Sequence, residues 1–157
     1  MVNQDRTIRE KMVLFWQNHF STELQVYFWP NFAYKHNKLF RDNCLKNFKD
    51  LVKEVTLDPA MLIYLNGYLN RKQAPDENYA RELQELFTLG KGPDSEYTES
   101  DVIEAARVLT GWRVQTRTGQ TTPMGTVYFQ ESWHDEGNKE FSSFYNNFTI
   151  TGRTGSD

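Results

Sequence analysis

The chain has little cysteine and no long apolar run. Cys44 is its single cysteine, which excludes an intramolecular disulfide and any zinc site that requires several thiolates. Crossing a bilayer takes about 20 consecutive apolar residues, and every apolar run here is much shorter. Residues 1–10 also lack the basic and then apolar pattern of a signal peptide. We therefore expect no membrane span in this segment.

An excess of positive charge is absent as well. The net charge is −3, and the 18 Lys and Arg residues are spread along the sequence without forming a basic stripe. Sequence-independent binding to nucleic acid depends on such a stripe, so no nucleic acid partner is expected. The sequence also lacks a glycine-rich phosphate loop, a nucleophile elbow and a His-Glu-x-x-His zinc helix. These absences leave the reaction and the substrate unassigned.

Aromatic residues are what the chain has in abundance. They make up 15% of its 157 residues, whereas all hydrophobic residues together reach only 38%. A chain of this length fits one domain, and its core must depend heavily on Phe, Tyr and Trp. We interpret residues 1–157 as a single domain or as an internal segment of a larger domain.

The apolar periodicity predicts a mainly α fold, an irregular helical bundle with a small antiparallel β-hairpin near the C-terminal end. The predicted helices cover about residues 8–20, 38–55, 59–65, 78–89 and 99–110. The predicted hairpin covers about residues 112–130, and an irregular tail follows over residues 131–157.

Local signals mark several helix ends. Asp58-Pro59 is typical of an N-cap followed by proline at the first helical position. Thr98 with Asp101 three residues later predicts a capping box. Gly90 and Gly111 each follow a periodic stretch, so we expect them to end helices in the left-handed conformation.

The same periodicity predicts which side chains face the core. The buried stripe of the first helix comprises Ile8, Met12, Phe15, Trp16, His19 and Phe20, with His19 on or beside it. The apolar face of the second comprises Phe40, Cys44, Leu45, Phe48, Leu51, Val52 and Val55. In the fourth helix Tyr79, Leu83, Leu86 and Phe87 are expected to face inward. An interior Cys44 is also a poor candidate for a nucleophile.

A series of short motifs runs through the chain. They are Arg9-Glu10-Lys11, Phe15-Trp16, Asn18-His19-Phe20, Asp58-Pro59-Ala60-Met61, Glu77-Asn78-Tyr79-Ala80-Arg81-Glu82, Glu85-Leu86-Phe87-Thr88-Leu89-Gly90, Tyr97-Thr98-Glu99, Leu109-Thr110-Gly111-Trp112, His134-Asp135 and Thr151-Gly152-Arg153-Thr154-Gly155. Through these motifs the chain, from about Arg9 to Gly155, resembles the bacterial family catalogued as domain of unknown function 1800.

The resemblance implies a larger parent protein. Family members are much longer, so the chain is expected to be an internal segment whose partners are the missing N-terminal and C-terminal parts of the parent. Many members begin with export signals, which implies a bacterial exported or periplasmic protein. Their genes often lie beside genes of a sulfatase-like family, so a sulfatase-like protein is a candidate partner. The biochemical activity of the family is not established.

The sharpest candidate constellation is His19, Glu82, His134 and Asp135. These groups can perform general acid–base catalysis or hold a divalent metal, with His19, His134 and Asp135 as its ligands. One hypothesis is therefore a metal-dependent, hydrolase-like enzyme. Family members commonly have His where this chain has Gln17, so a His-x-His pair is reduced to His19 alone. This difference argues against the metal.

A structural interpretation of the same residues stays open. His19 is then a hydrogen-bonded core histidine, and His134-Asp135 orders a turn through side-chain hydrogen bonds. Glu82 pairs in that case with Arg9 or Arg113, since structural ion pairs also account for partly buried charges.

One side of the predicted helix 78–89 is polar. Asn78, Arg81, Glu82 and Glu85 lie together on it. Of these, Asn78, Arg81 and Glu85 are candidates for ligand binding, together with Trp112. For this helix side we favour an intramolecular ion-pair network over catalysis.

The aromatic surplus opens another hypothesis, because flat rings stack on sugars. Tyr27, Trp29, Trp112 and Trp133 are the candidates for a glycan-binding module. Aromatics at helical spacing are, however, more often core residues. We therefore interpret the chain first as a structural or interaction segment of a larger exported protein, with the enzyme and the glycan-binding module as alternatives.

Overall fold

The computed structural model describes residues 8–152, and over that range the fold is mainly α, as predicted. The helices are α1 (Ile8–His19), α2 (Leu24–Tyr27), α3 (Pro30–Asn43), α4 (Phe48–Thr56), α5 (Pro59–Tyr64), α6 (Asn78–Glu82) and α7 (Glu99–Val108). Short 3₁₀ turns cover Gly67–Leu69, Glu131–Trp133 and Ser143–Tyr145. No helix within residues 8–152 is long and apolar enough to cross a membrane.

The predicted single helix over residues 38–55 is wrong. Helix α3 begins at Pro30, which occupies the first helical position, and it ends at Asn43. A new helix, α4, then begins after Asn47, whose side chain accepts a hydrogen bond from the Lys49 N–H. The break reorients the chain, so that Leu45 is 56% exposed although the helical periodicity placed it inside.

The predicted helix over residues 78–89 is continuous but changes type. After α6 the chain widens into a π-helix over Leu83–Thr88, and Gly90 follows with φ 91°. Leu89 and Gly90 both donate their N–H groups to the Gln84 carbonyl oxygen. The wider turn changes the register of the side chains, and Leu86 is consequently 61% exposed where burial was expected.

The main core is built from rings and aliphatic side chains of five helices. It consists of Val13, Phe20, Phe40, Cys44, Leu51, Val55, Met61, Tyr79 and Phe87. The predicted burial of Cys44 is confirmed. Helix α1 differs from its prediction, because Ile8 is 67% and Phe15 53% exposed, while Val13 is buried instead. The buried stripe of α1 is therefore narrower than its apolar periodicity indicates.

A second cluster packs α5 against the hairpin. Its buried members are Phe32, Ala60, Leu62, Ile63 and Val114. Every residue from Pro59 to Ile63 is buried, so this short helix is central to the fold. Asp58 caps it as predicted, because its carboxylate accepts the Met61 N–H at 3.0 Å.

The predicted hairpin is confirmed, and the tail is more ordered than predicted. Strands β1 (Trp112–Val114) and β2 (Val127–Phe129) pair antiparallel, with Arg113 opposite Tyr128. Beyond them β3 (Lys139–Glu140) and β4 (Thr149–Ile150) form a second antiparallel pair. The tail over residues 131–157 is therefore not wholly irregular, and its positions 153–157 lie outside the described residues.

Candidate functional site

His19 is half-buried at the end of α1 and is held by contacts with core residues. Its Nε2–H donates to the Phe87 carbonyl oxygen at 2.9 Å, which joins the end of α1 to the π-helix. Its ring lies parallel to Phe15, with centroids 6.2 Å apart, and meets Phe20 edge-on at 4.6 Å. His19 thus has the contacts of a hydrogen-bonded core histidine.

His134 and Asp135 both contact Thr110, a residue that was not among the candidate site residues. His134 Nδ1 lies 2.8 Å from the Thr110 carbonyl oxygen, and the Asp135 N–H donates to Thr110 Oγ1 at 2.8 Å. The Asp135 carboxylate accepts Nε and Nη2 of Arg107 at 2.8 and 3.1 Å. This fork lowers the pKa of the Asp135 carboxyl group. Both residues order the segment that follows the hairpin.

Glu82 does not have the partners proposed for it. Arg9 donates instead to the Arg41 carbonyl oxygen at 2.7 Å, and Arg113 lies over the ring of Trp133. Glu82 is half-buried, and no ion pair or side-chain hydrogen bond joins it to the described residues.

The residues of the sharpest constellation lie in different parts of the fold. His19 lies against Phe87 in the helical core, whereas His134 and Asp135 lie at the hairpin end of α7. Within residues 8–152, no group of three or more His, Cys, Asp and Glu side chains has the geometry to hold a metal ion. The four residues do not form one site there.

Arg81 is the centre of an ion-pair network on the polar side of α6. It contacts Glu77 at 2.8 Å, Glu99 at 2.9 Å and Glu85 at 3.7 Å. Lys91 extends the network by pairing with Glu85 at 2.9 Å. The hydrogen bond that Arg81 donates to Glu99 is the largest of several causes that raise the pKa of Arg81. The favoured interpretation, a network rather than a reactive centre, describes Arg81 and Glu85.

Asn78 stands outside this network. It is exposed at the start of α6, where its backbone N–H donates to Asp76 Oδ1 at 3.0 Å. Its contribution is therefore to the helix start, and it does not converge with Arg81 on a cleft.

The candidate glycan-stacking rings are packed against protein groups. Trp29 lies 5.1 Å from Phe32, and Trp112 meets Phe129 at 5.1 Å in an edge-on contact. Trp133 has the Arg113 guanidinium 3.7 Å from its ring centroid. The side chain of Tyr27 lies outside what the structure describes. With these contacts, Trp29, Trp112 and Trp133 are each half-buried.

A family model described as "Protein of unknown function (DUF1800)" matches residues 1–154. The chain belongs to the DUF1800 family. The search of curated proteins and the search of solved structures returned no match. The description of DUF1800 names no activity.

A polar pair buried within residues 8–152 of this DUF1800 chain was not predicted from the sequence. His36 Nδ1 lies 3.0 Å from Asp58 Oδ2, and both side chains are 2% exposed. His36 Nε2 lies 3.0 Å from the Phe20 carbonyl oxygen. Both ring nitrogens of His36 therefore contact buried oxygens, one on Asp58 and one on the Phe20 backbone. A spacing of four residues from Phe32 and from Phe40 was the available signal for its burial.

Asp101 joins helix α7 to the segment that precedes β4. Its carboxylate is fully buried and accepts the N–H and hydroxyl of Thr98, in the predicted capping box, and the N–H and hydroxyl of Ser142. Burial alone raises the pKa of Asp101, but the bonds donated by Ser142 and Thr98 outweigh it and lower the pKa. Tyr145 adds a second link, because its hydroxyl donates to Gln84 Oε1 at 2.8 Å.

Lys139 is a buried cation on β3. It is 1% exposed, and its Nζ donates to the Asp135 carbonyl oxygen. Burial lowers the pKa of Lys139, while the nearby Asp135 carboxylate, 3.9 Å away, opposes that effect. Like Asp101 and Asp135, this lysine fixes the C-terminal segment onto α7.

Proposed function

We propose that the chain serves as a structural and interaction module of a larger bacterial exported protein, and that it packs against the other helical parts of its parent. The observation that carries the proposal is an aromatic surface on α1 and α4. We call it the α1–α4 surface, and it consists of Phe15, Trp16, His19 and Phe48.

The rings of the α1–α4 surface form one contiguous group. Phe15 meets Trp16 at 4.8 Å, and Trp16 stacks on Phe48 at 5.5 Å. Phe15 and Phe48 are 53% and 39% exposed, whereas Trp16 and His19 are half-buried. Contiguous exposed rings are costly in water and typical of surfaces that another protein segment covers. Aromatic side chains in such a position are strong anchors.

The use of the polar side chains supports the same proposal. His19, His134 and Asp135 each have a partner inside the described residues, as do Arg81 and Glu85. Their contacts stabilise helix ends and connections.

Site-specific photo-crosslinking of the full-length parent in its bacterial host tests the proposal. A photoreactive phenylalanine analogue replaces Phe15 in one strain and Tyr34 in a second, control strain. Tyr34 is 69% exposed on α3 but has no ring contact within the described residues, so it matches Phe15 in type and accessibility. Fractionation of the same cells tests export.

We expect crosslinks from position 15 to helical peptides elsewhere in the parent, identified by mass spectrometry. Position 34 should not form these crosslinks. If position 15 crosslinks to a sulfatase-like protein instead, the chain is still an interaction module, and its partner is that protein. The proposal is overturned if neither position crosslinks, or if both crosslink equally to many proteins.

A further inference from the structure

Arg113 is a half-buried cation without a carboxylate partner. It lies on β1, and its guanidinium sits 3.7 Å from the ring centroid of Trp133, well inside the range of about 6 Å for a cation–π contact. Its Nε is buried and has no hydrogen-bond acceptor among residues 8–152. Nη1 and Nη2 have no acceptor there either, yet neither is buried. The outer edge of the guanidinium is therefore available.

A second arginine shares the same ring. The Arg71 guanidinium is 5.5 Å from the Trp133 centroid. The loop that carries Arg71 is fixed to the Trp133 turn, because the Lys72 N–H donates to the Trp133 carbonyl oxygen at 2.8 Å. Glu131 lies only two residues from Trp133 but pairs with neither arginine. Two cations thus face one ring with no counter-ion in the described part of the chain.

The other half-buried arginines differ in this respect. Arg41 contacts Glu10 at 2.6 Å, Arg81 contacts Glu77 at 2.8 Å, and Arg107 contacts Asp135 at 2.8 Å. In those three places the fold supplies the carboxylate. At Arg113 it supplies only the face of an indole ring, which orients the guanidinium plane but accepts no hydrogen bond along that plane.

We propose that Arg113 and Arg71, held on the ring of Trp133, bind an oxyanion of a small molecule, either a carboxylate or a phosphate group. A guanidinium offers parallel N–H donors whose spacing matches the oxygens of both groups. Stacking on Trp133 restricts the rotation of the Arg113 side chain, so less conformational entropy is lost when an anion binds. The second positive charge of Arg71 increases the attraction, and the site is independent of the α1–α4 surface.

Titration with inorganic phosphate and with acetate, at constant ionic strength set by chloride, tests this site. The readouts are the ¹⁵N–¹H resonances of the Trp133 indole and the arginine Nε groups. We expect one anion or both to give saturable shifts at Trp133 and Arg113. The stronger of the two then identifies the ligand as a phosphate or a carboxylate.

The anion affinities of single arginine variants distinguish a specific binding site from attraction by the net charge. Arg113→Gln should weaken binding at least about tenfold, because it removes charge-assisted hydrogen bonds to the anion, and Arg71→Gln should weaken it less. Arg117→Gln is the control, because Arg117 is an exposed arginine that follows β1 and stacks on no ring within the described residues. Circular dichroism verifies folding, and Arg113→Lys replaces Arg113→Gln if the latter does not fold.

Shifts that grow linearly without saturation for both anions would overturn the proposal. An equal loss of binding in Arg117→Gln would overturn it too, because the attraction would then come from net charge. A last outcome would also overturn the proposal. If Arg71→Gln and the Arg113 variant, either Arg113→Gln or Arg113→Lys, both bind the anion with wild-type affinity, these arginines do not bind it.

Discussion

His36 and Asp58 place a hydrogen-bonded polar pair in the interior of the helical bundle. Asp58 serves two purposes there, because the same Oδ2 atom accepts from His36 and from the Met61 N–H. His36 in turn reaches the Phe20 carbonyl oxygen at the end of α1. One carboxylate therefore connects the start of α5, the middle of α3 and the end of α1.

Replacing Asp58 by alanine should destabilise the chain strongly. The substitution leaves His36 Nδ1 buried without its hydrogen-bond partner, which costs about 1–3 kcal/mol, and it removes the cap of α5, which costs about 1 kcal/mol more. Urea unfolding followed by tryptophan fluorescence measures the change. Asp42→Asn is the control, since it breaks a pair with Lys38 in which both side chains are more than half exposed. Similar losses in both variants would contradict the central position of the buried pair.

Asp101 makes stability depend on pH in the acid range. Its pKa in the folded state lies below the ordinary value of 3.8, so the folded chain favours the ionised carboxylate more than the unfolded chain does. The contribution of Asp101 is therefore complete above about pH 4 and is lost as the pH falls through the folded-state pKa. Asp101→Asn should cost about 1–3 kcal/mol at pH 7, because its amide meets the donors of Thr98 and Ser142.

Urea unfolding of wild type and Asp101→Asn from about pH 7 to pH 2.5 measures this effect. The difference between them should be constant above about pH 4 and should shrink toward lower pH. Ser142→Ala, which removes one hydroxyl donor, should cost less than Asp101→Asn and act non-additively with it. If the difference in the free energy of unfolding between wild type and Asp101→Asn is small at neutral pH, or grows as the pH falls, Asp101 does not cause this pH dependence.

Contacts between residues close in the sequence were predictable, whereas contacts between distant residues were not. The caps at Asp58 and Thr98 were predictable because a cap joins residues only three positions apart. The contact of Arg107 with Asp135 spans 28 positions, and that of His36 with Asp58 spans 22. Nothing in one sequence indicates which distant charges meet, so the predicted constellation around His19 did not assemble.

At the scale of elements, the predictions depended on unbroken periodicity. The helix over 99–110 and the hairpin were found because their caps, glycines and strand alternation agree with one another. The break between α3 and α4 was missed, since Cys44 and Phe48 continue the apolar spacing through it. The π-helix over Leu83–Thr88 was missed because the inserted wider turn has no sequence signature in this pattern.

The two glycines that end helices should differ in their tolerance of alanine. Gly90 has φ 91° and Gly111 has φ 97°, a region that L-residues occupy at a cost of about 1–2 kcal/mol. An added Cβ at Gly90 meets no atom within 4 Å, whereas at Gly111 it comes within 3.0 Å of Phe129 Cε2 and 3.2 Å of the Gln130 carbonyl oxygen. Gly111→Ala should therefore be the more destabilising substitution.

Chemical unfolding of Gly90→Ala and Gly111→Ala compares the two helix ends directly. Gly90→Ala should lose about 1–2 kcal/mol from backbone strain alone, and Gly111→Ala should lose clearly more. Gly92→Ala is the control, because Gly92 lies outside the left-handed region and in open space. Equal losses at positions 90 and 111 would mean that the crowding at the hairpin relaxes without cost.

At the scale of the whole molecule, aromatic side chains occupy both the core and the surface. Phe20, Phe32 and Phe40 are fully buried, whereas Phe28 and Phe148 are 77% and 60% exposed. The fold thus leaves apolar area in water that its own helices do not cover. Such area favours association whenever another apolar surface is present.

The isolated 157-residue chain should consequently self-associate through the α1–α4 surface. Sedimentation velocity over a range of concentrations should show a sedimentation coefficient that rises with concentration. Phe15→Ser should shift the equilibrium toward monomer at least about tenfold, because an aromatic anchor at the centre of an interface contributes about 2 kcal/mol or more. Tyr34 is an even more exposed aromatic outside the surface, and Tyr34→Ser should leave the equilibrium unchanged. A monomer at every concentration, or an equal effect of Tyr34→Ser, would show that these rings do not form an adhesive surface.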